Sequence, residues 1–416
     1  MSHTPAPLPS GLLRAAPEAV GLCPERTARL LATFQAEIDA RQLPGAVVLV
    51  ARRGRVALFE SLGAQDPQRG TPMALDSIFR IYSMTKPIVS VAIMMLMEQG
   101  RLLLSDPVAK YLPEFAHQHV AEVQDAGKKG KHKGHSKIKL RAARRAATVQ
   151  DLLRHTAGLT YEFLGAADVQ QQYAAAQMGG RHRSNAEFSS ALAAMPLLVD
   201  PGSAWEYSRA TDVLGRLVEV LTGQTLGGFL QSEILAPLGM IDTAFAVPSG
   251  QHSRIAEAFE QDPNGAAPFK MINIRQVPTL ESGGGGLAST AADYARFLQF
   301  MLNRGELDGV RLLGPKTVDY MTADHLGDTP IYPHSLSSVV LPPGHGFGLG
   351  FAVRTAAGVA SVPGSAGQYF WGGIAGTSFF VDPALDLFAV MMIQAPNQRD
   401  YYRQLFRNLV YAALLD

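Results

Sequence analysis

The chain contains a single cysteine, Cys23, among 416 residues. That excludes an intramolecular disulfide and a multi-cysteine zinc centre, so any metal chemistry would have to rest on histidines and carboxylates. Long apolar stretches are missing too. No uninterrupted apolar run is longer than Val91 to Met97, far short of the roughly 20 residues a membrane-spanning helix needs. Met1 to Leu12 lacks the basic-then-apolar order of an export signal, so a cytoplasmic protein with no membrane attachment is expected. Nor is there an excess of either charge. Lys and Arg number 37 against 36 Asp and Glu, a formal net charge of +1, which gives no overall steering toward nucleic acid or anionic lipid. The balance is locally uneven, however: residues 127–145 carry nine Lys and Arg and no acid.

What is present is an ordinary globular composition, 47% hydrophobic and 18% charged, long enough for one large or two intimate domains. Pro24 opens a helix in which Leu30, Phe34 and Ile38 share one face. Ala46 to Val50 and Arg55 to Phe59 are β-branched-rich runs around the turn Arg52-Arg53-Gly54, the mark of a hairpin. Thr148 to Asp151 has the form of a capping box, and helical patterns then continue to about Leu238, with Leu214, Leu217, Val218 and Leu221 on one stripe. Ser289 to Asn303 repeats that pattern. Strands return at Phe347 to Val353, Ile374 to Val381 and Leu387 to Ile393, and Tyr401 to Leu415 closes the chain as a helix. Strands thus flank a helical middle, an α+β pattern in which an antiparallel sheet is flanked by terminal helices. Residues 1–82 with 281–416 are expected to form the sheet domain and residues 83–280 a mainly helical one. The basic segment at 127–145 cannot bury itself and reads as a solvated loop.

The chemistry concentrates at Ser83-Met84-Thr85-Lys86-Pro87, which runs into the apolar segment Ile88 to Gln99 and stops at Gly100. Residues three apart share a helix face, so Lys86 can bring its amine to the Ser83 hydroxyl. Pro87 is tolerated only near a helix start, which puts that start close to Ser83 and leaves the Ser83 N–H free as an oxyanion donor. A second copy of the spacing, Ser136 to Lys139, lies in the cationic run without apolar periodicity and is set aside. Gly283 to Gly286 is a flexible or tightly packed loop. No convincing strand precedes it, so it is no dinucleotide fingerprint.

Several ordered blocks together resemble the β-lactamase and penicillin-binding-protein superfamily of serine hydrolases, specifically the branch of class C β-lactamases and family VIII carboxylesterases. They are Ser83 to Lys86, Leu104 to Val108 with Tyr111-Leu112-Pro113, Asp151 to Leu159, Trp205-Glu206-Tyr207-Ser208, and Trp371-Gly372-Gly373. The resemblance implies a β-lactamase/transpeptidase-like fold, Ser83 as nucleophile, Lys86 as its partner and Tyr207 as the residue sharing the proton traffic. It also implies that the Ile374 N–H joins that of Ser83 in an oxyanion hole, beside a strand at Trp371, Gly372 and Gly373 along which substrate lies. Two departures bear on substrate. The family's Tyr-x-Asn is Tyr207-Ser208-Arg209 here, and the Lys of Lys-Thr-Gly is absent. Both weaken β-lactam recognition and favour neutral esters.

The expectation is therefore a serine carboxylesterase acting on small, short-chain acyl esters, with no cofactor, metal or specific nucleic acid. β-Lactam hydrolysis, D-amino-acid peptidase activity and acyl transfer are the alternatives within the superfamily. An anion- or nucleic-acid-binding role for residues 127–145 is the alternative outside it, although without interleaved aromatics such binding would be non-specific. No serine has glycine at both −2 and +2, which removes an α/β-hydrolase elbow. His155 reads as structural and His345 as a candidate cleft residue, while His132 and His135 make too poor a pair for a metal.

Overall fold

The computed structural model describes residues 12–122 and 138–416. The expected hairpin is β1 (Gly45–Arg52) and β2 (Arg55–Asp66), joined through Arg53 and Gly54, both at positive φ as a two-residue turn of this hand requires. Three C-terminal strands, β3 (Tyr369–Gly372), β4 (Ser378–Asp382) and β5 (Leu387–Ile393), extend it, with β5 antiparallel to β1. The nine-stranded sheet is completed by Ala352–Arg354 and His345–Phe347 at one edge and by Leu13–Arg14 and Thr71–Pro72 around β2. Leu13–Arg14 runs parallel to β2, so the sheet is mixed by that one pairing.

Both faces of the sheet are covered. Val48, Val50, Ala389, Met391 and Phe380 share a core with Leu30 and Phe34 of α1 (Pro24–Asp39). Their neighbours Val47, Leu49, Val390, Met392 and Phe379 point into the larger core on the opposite face, as the two-residue period of a strand demands. That larger core holds α2 (Thr85–Glu98), α3 (Ala210–Thr222) and α4 (Ala291–Leu302), and α5 (Arg399–Ala412) returns to α1 on the first face. Every residue of α2 from Thr85 to Leu96 is buried. Such a helix has no solvent face, so the polar group it carries at Lys86 must be satisfied inside.

Three sequence expectations are corrected. Phe347 to Val353 is two short strands, because the chain reverses between them and the Gly348 N–H donates to the Phe351 carbonyl. Ile374 lies in a turn closed by Gly376 N–H to Gly373 O, so the strand expected at Ile374 to Val381 begins only at Ser378. Within the described end of the basic segment, Lys139–Ala142 is a solvent-exposed strand and not a loop. Lys139–Ala142 pairs with His119–Glu122, Arg141 reaches Asp200 at 2.6 Å, Arg145 reaches Asp151 at 2.5 Å and Lys139 reaches Glu122 at 2.9 Å. These described cations are matched by acids from elsewhere in the chain. His132, His135 and Ser136 lie outside the described residues. Among the described residues no helix is long and apolar enough to cross a membrane.

Candidate active site

The nucleophile turn is held on both sides. Phe79–Arg80 pairs with Ala288–Ser289, and a 3-10 turn at Tyr82–Met84 leads into α2. Tyr82 takes φ +43, a conformation of order 1 kcal/mol uphill for a residue with a side chain. Its surroundings maintain it: the phenol oxygen accepts the Ile272 N–H at 2.9 Å, and the ring meets Phe269 edge-on. The turn leaves the Ser83 hydroxyl at the N-terminal end of α2, facing Lys86.

The Lys86 Nζ lies 3.4 Å from Ser83 Oγ, 3.0 Å from the Tyr161 hydroxyl and 2.7 Å from the Gly284 carbonyl. The lysine is fully buried. Burial drives its pKa from 10.5 down to about 7, with Asp212 opposing that shift and Arg209 adding to it. A neutral amine within reach of a serine hydroxyl at neutral pH can take its proton.

Tyr207 completes the group. Its ring centroid is 4.6 Å from Lys86 Nζ, and its hydroxyl receives the Trp371 Nε1–H at 3.4 Å. Burial pushes the phenol pKa upward, while hydrogen bonds to Ser83 and Trp371 counter it. Behind it lies His155, whose ring packs 4.9 Å from that of Tyr207 and whose Nδ1 is 3.1 Å from Ser208 Oγ. Burial holds that imidazole well below its usual pKa, so it serves as a neutral packing surface. His345 is not in the cleft. It packs on Phe370, on the side of the sheet where Arg407 of α5 covers that ring, and alternation along β3 sends Trp371 to the other side.

The turn after β3 approaches the nucleophile closely, since a methyl group on Gly373 would collide with the Ile81 carbonyl. This is the close approach the Gly-Gly pair permits. Arg403 of α5 donates to the Gly373 carbonyl and holds the turn from behind. Neither the Ser83 nor the Ile374 N–H meets an acceptor among the described residues, which leaves both available to a developing oxyanion.

Sequence reasoning missed a second layer. Asp212 Oδ1 accepts the Ser282 hydroxyl at 2.5 Å and the Gly284 N–H at 3.0 Å, and a side chain at Gly284 would meet that carboxylate within 2.8 Å. The glycine run is thus a tightly packed loop, and it brings the Gly284 carbonyl to Lys86. Tyr161 was missed although it lies just past the quoted Asp151 to Leu159 block. Arg209, standing where the family has asparagine, is closed off by Glu162 at 2.6 Å and lies over the Tyr161 ring. Among the described residues no group of three His, Cys, Asp or Glu could hold a metal ion.

A buried lysine against a helix-start serine, a tyrosine above both and a glycine-bordered strand turn define a serine-hydrolase fold of the penicillin-recognising kind. The sequence model of the β-lactamase family matches residues 29–413, and the chain belongs to that family. It is 34% identical over 368 residues to Protein Rv1367c of Mycobacterium tuberculosis, covering 87% of this chain and 88% of that one. It is also 34% identical over 385 residues to esterase EstB of Burkholderia gladioli, covering 88% and 89%. Among solved structures, EstCE1, described as a hydrolase with promiscuous acyltransferase activity, superposes with a TM-score of 0.77 at 26% identity, covering 93% of this chain and 98% of that one.

Proposed function

We propose that the protein is an acyl-ester hydrolase in which Ser83 carries the acyl group and releases it either to water or to an alcohol. The observation that carries this reading is the fully buried Lys86 amine, 3.4 Å from Ser83 Oγ with a pKa of about 7. Neutral Lys86 takes the Ser83 proton as Oγ attacks the ester carbonyl, and the oxyanion forms against the Ser83 and Ile374 N–H groups. The C–O bond to the leaving alcohol then breaks, and that alcohol takes its proton back from Lys86 through Tyr207. Water or a second alcohol enters the same position and gives up its proton to the same pair as it attacks the acyl carbonyl, and the Ser83–acyl C–O bond breaks as Ser83 Oγ takes that proton back.

Acyl transfer has more support than the sequence reading gave it. The likeness to EstB, an esterase, and to EstCE1, with its acyltransferase activity, favours an acyl-enzyme open to both acceptors. Arg209 in place of asparagine and Trp371 in place of the lysine of Lys-Thr-Gly disfavour β-lactams. The test compares 4-nitrophenyl esters of short and long acids, a chromogenic cephalosporin, and the same esters with a primary alcohol added. Ester turnover that collapses in Ser83→Ala, with alcohol ester appearing as a product, is the expected result. Faster cephalosporin than ester turnover, or full activity in Ser83→Ala, would sink the proposal.

A further inference from the structure

Arg181 lies in the connection between the helices Asp168–Ala175 and Asn185–Ala193. One Nη donates to the Gly285 carbonyl at 3.1 Å, one residue beyond the carbonyl that holds Lys86. The groups that feel its charge are Asp212, Arg209, Tyr82 and Tyr161, which border the Ser83 cleft. The guanidinium is largely withdrawn from water, and that desolvation lowers its pKa.

Its partners are incomplete. Among the described residues no carboxylate stands at ion-pair distance from Arg181. The two acids on this side each have one oxygen engaged, Glu162 Oε1 with Arg209 at 2.6 Å and Asp212 Oδ1 with Ser282 and Gly284, while Glu162 Oε2 and Asp212 Oδ2 have no hydrogen-bond partner and neither carboxylate pairs with Arg181. The other arginines near the cleft already make an ion pair or a backbone bond, Arg209 with Glu162 and Arg403 with the Gly373 carbonyl, and their remaining unpartnered Nε atoms are buried. Arg181 therefore makes a hydrogen bond to the Gly285 carbonyl and carries further donors on the same planar group, and a largely desolvated cation is costly until an anion joins it. A planar fork of N–H groups matches a carboxylate in two-point contact. On one wall of the cleft Tyr161 stacks on half-exposed Phe163 at 4.8 Å, which suits an apolar substrate body.

We propose that Arg181 is the anion-recognising residue of the substrate cleft, and that the preferred ester carries a free carboxylate away from the bond that is cleaved. This rests on Ser83 as the acyl nucleophile, and it revises the expectation of neutral substrates: the cation that Trp371 replaces is supplied from another element.

Matched esters test it. 4-Nitrophenyl hydrogen glutarate against 4-nitrophenyl valerate places the carboxylate on the acyl side. 4-Carboxyphenyl valerate against 4-acetylphenyl valerate places it on the alcohol side. The wild-type enzyme should favour the carboxylated member of one pair in kcat/KM. In Arg181→Gln that ratio should fall about tenfold or more, chiefly through KM, with Arg181→Lys retaining part of it. Absence of the preference in the wild type, or its survival in Arg181→Gln, would overturn the proposal. Titration calorimetry of glutarate into Ser83→Ala, with and without Arg181→Gln, separates this inference from the reaction itself. Glutarate bound through Arg181 by a protein that hydrolyses no ester would support the anion site while ending the hydrolase reading. Ester hydrolysis with glutarate affinity indifferent to Arg181 would do the reverse.

Discussion

Replacing Lys86 with methionine should yield a dead enzyme that is more stable than its parent at neutral pH. Methionine keeps most of the side-chain volume and removes the amine. In the folded protein that amine titrates at about 7 instead of 10.5 because burial disfavours its charged form. At about 1.4 kcal/mol per pKa unit, housing it costs the fold about 5 kcal/mol near pH 7, where the unfolded chain holds a proton the folded one is losing. The folded pKa is the depressed one, so this cost is absent above pH 10.5, grows as the pH falls and is complete below 7. Against it stand the contacts with Tyr161 at 3.0 Å and Gly284 at 2.7 Å, whose loss strands two buried groups at about 1–2 kcal/mol each. The balance predicts a gain of about 2 kcal/mol for Lys86→Met at pH 7 and a loss at pH 10, with hydrolysis down about 10³-fold or more. Urea denaturation followed by tryptophan fluorescence at both pH values reads the first, and a chromogenic ester reads the second. A variant equally destabilised at pH 7 and pH 10 would mean that Lys86 keeps its proton, and the base assignment would fall with it.

The same titration should shape activity in the intact enzyme: kcat/KM for a neutral ester should rise with unit slope through about pH 7, as Lys86 loses its proton. A flat profile from pH 5.5 to 8.5 would count against it. Tyr161→Phe removes the hydroxyl 3.0 Å from Lys86 Nζ and should lower kcat about tenfold with KM little changed, as steady-state kinetics will show. Gly373→Ala drives a methyl group into the Ile81 carbonyl. It should displace the Ile374 N–H, costing about 10²-fold in kcat, and lower the melting midpoint; a fully active Gly373→Ala enzyme would put the oxyanion donors elsewhere.

How far the sequence disclosed this depends on the range of the signal. The hairpin at Arg53-Gly54, α1, α3 and α4 were legible because their causes are local: a turn pair and periodic apolar faces. Strand ends near Ile374 and Phe347 were not, because glycine-containing turns interrupt apolar runs that look continuous in one dimension. Ser83, Lys86 and Tyr207 come together as the resemblance implied. Tyr161, Asp212 and Arg181 went unread, since their relation to Ser83 exists only after segments 75 to nearly 200 residues apart are packed together. Likewise, Arg141 and Arg144 looked unpartnered because Asp200 lies far along the chain.

The spacing of a serine and a lysine is therefore the smaller part of the chemistry. A Ser-x-x-Lys in water would hold an ammonium ion that cannot accept a proton at pH 7. What changes Lys86 is that α2 is buried all round, so its amine has to be housed by Gly284 and Tyr161 within the core. Asp212 bears on the result twice: its charge raises the amine's affinity for a proton, and its hydrogen bond places the Gly284 carbonyl. If this is the division of labour, Asp212→Asn should move the acid limb of the kcat/KM profile below that of the parent, because the opposing charge is gone while the amide oxygen can still accept from Ser282 and Gly284. A limb that moves upward, or stays fixed while kcat collapses, would assign Asp212 to loop geometry alone.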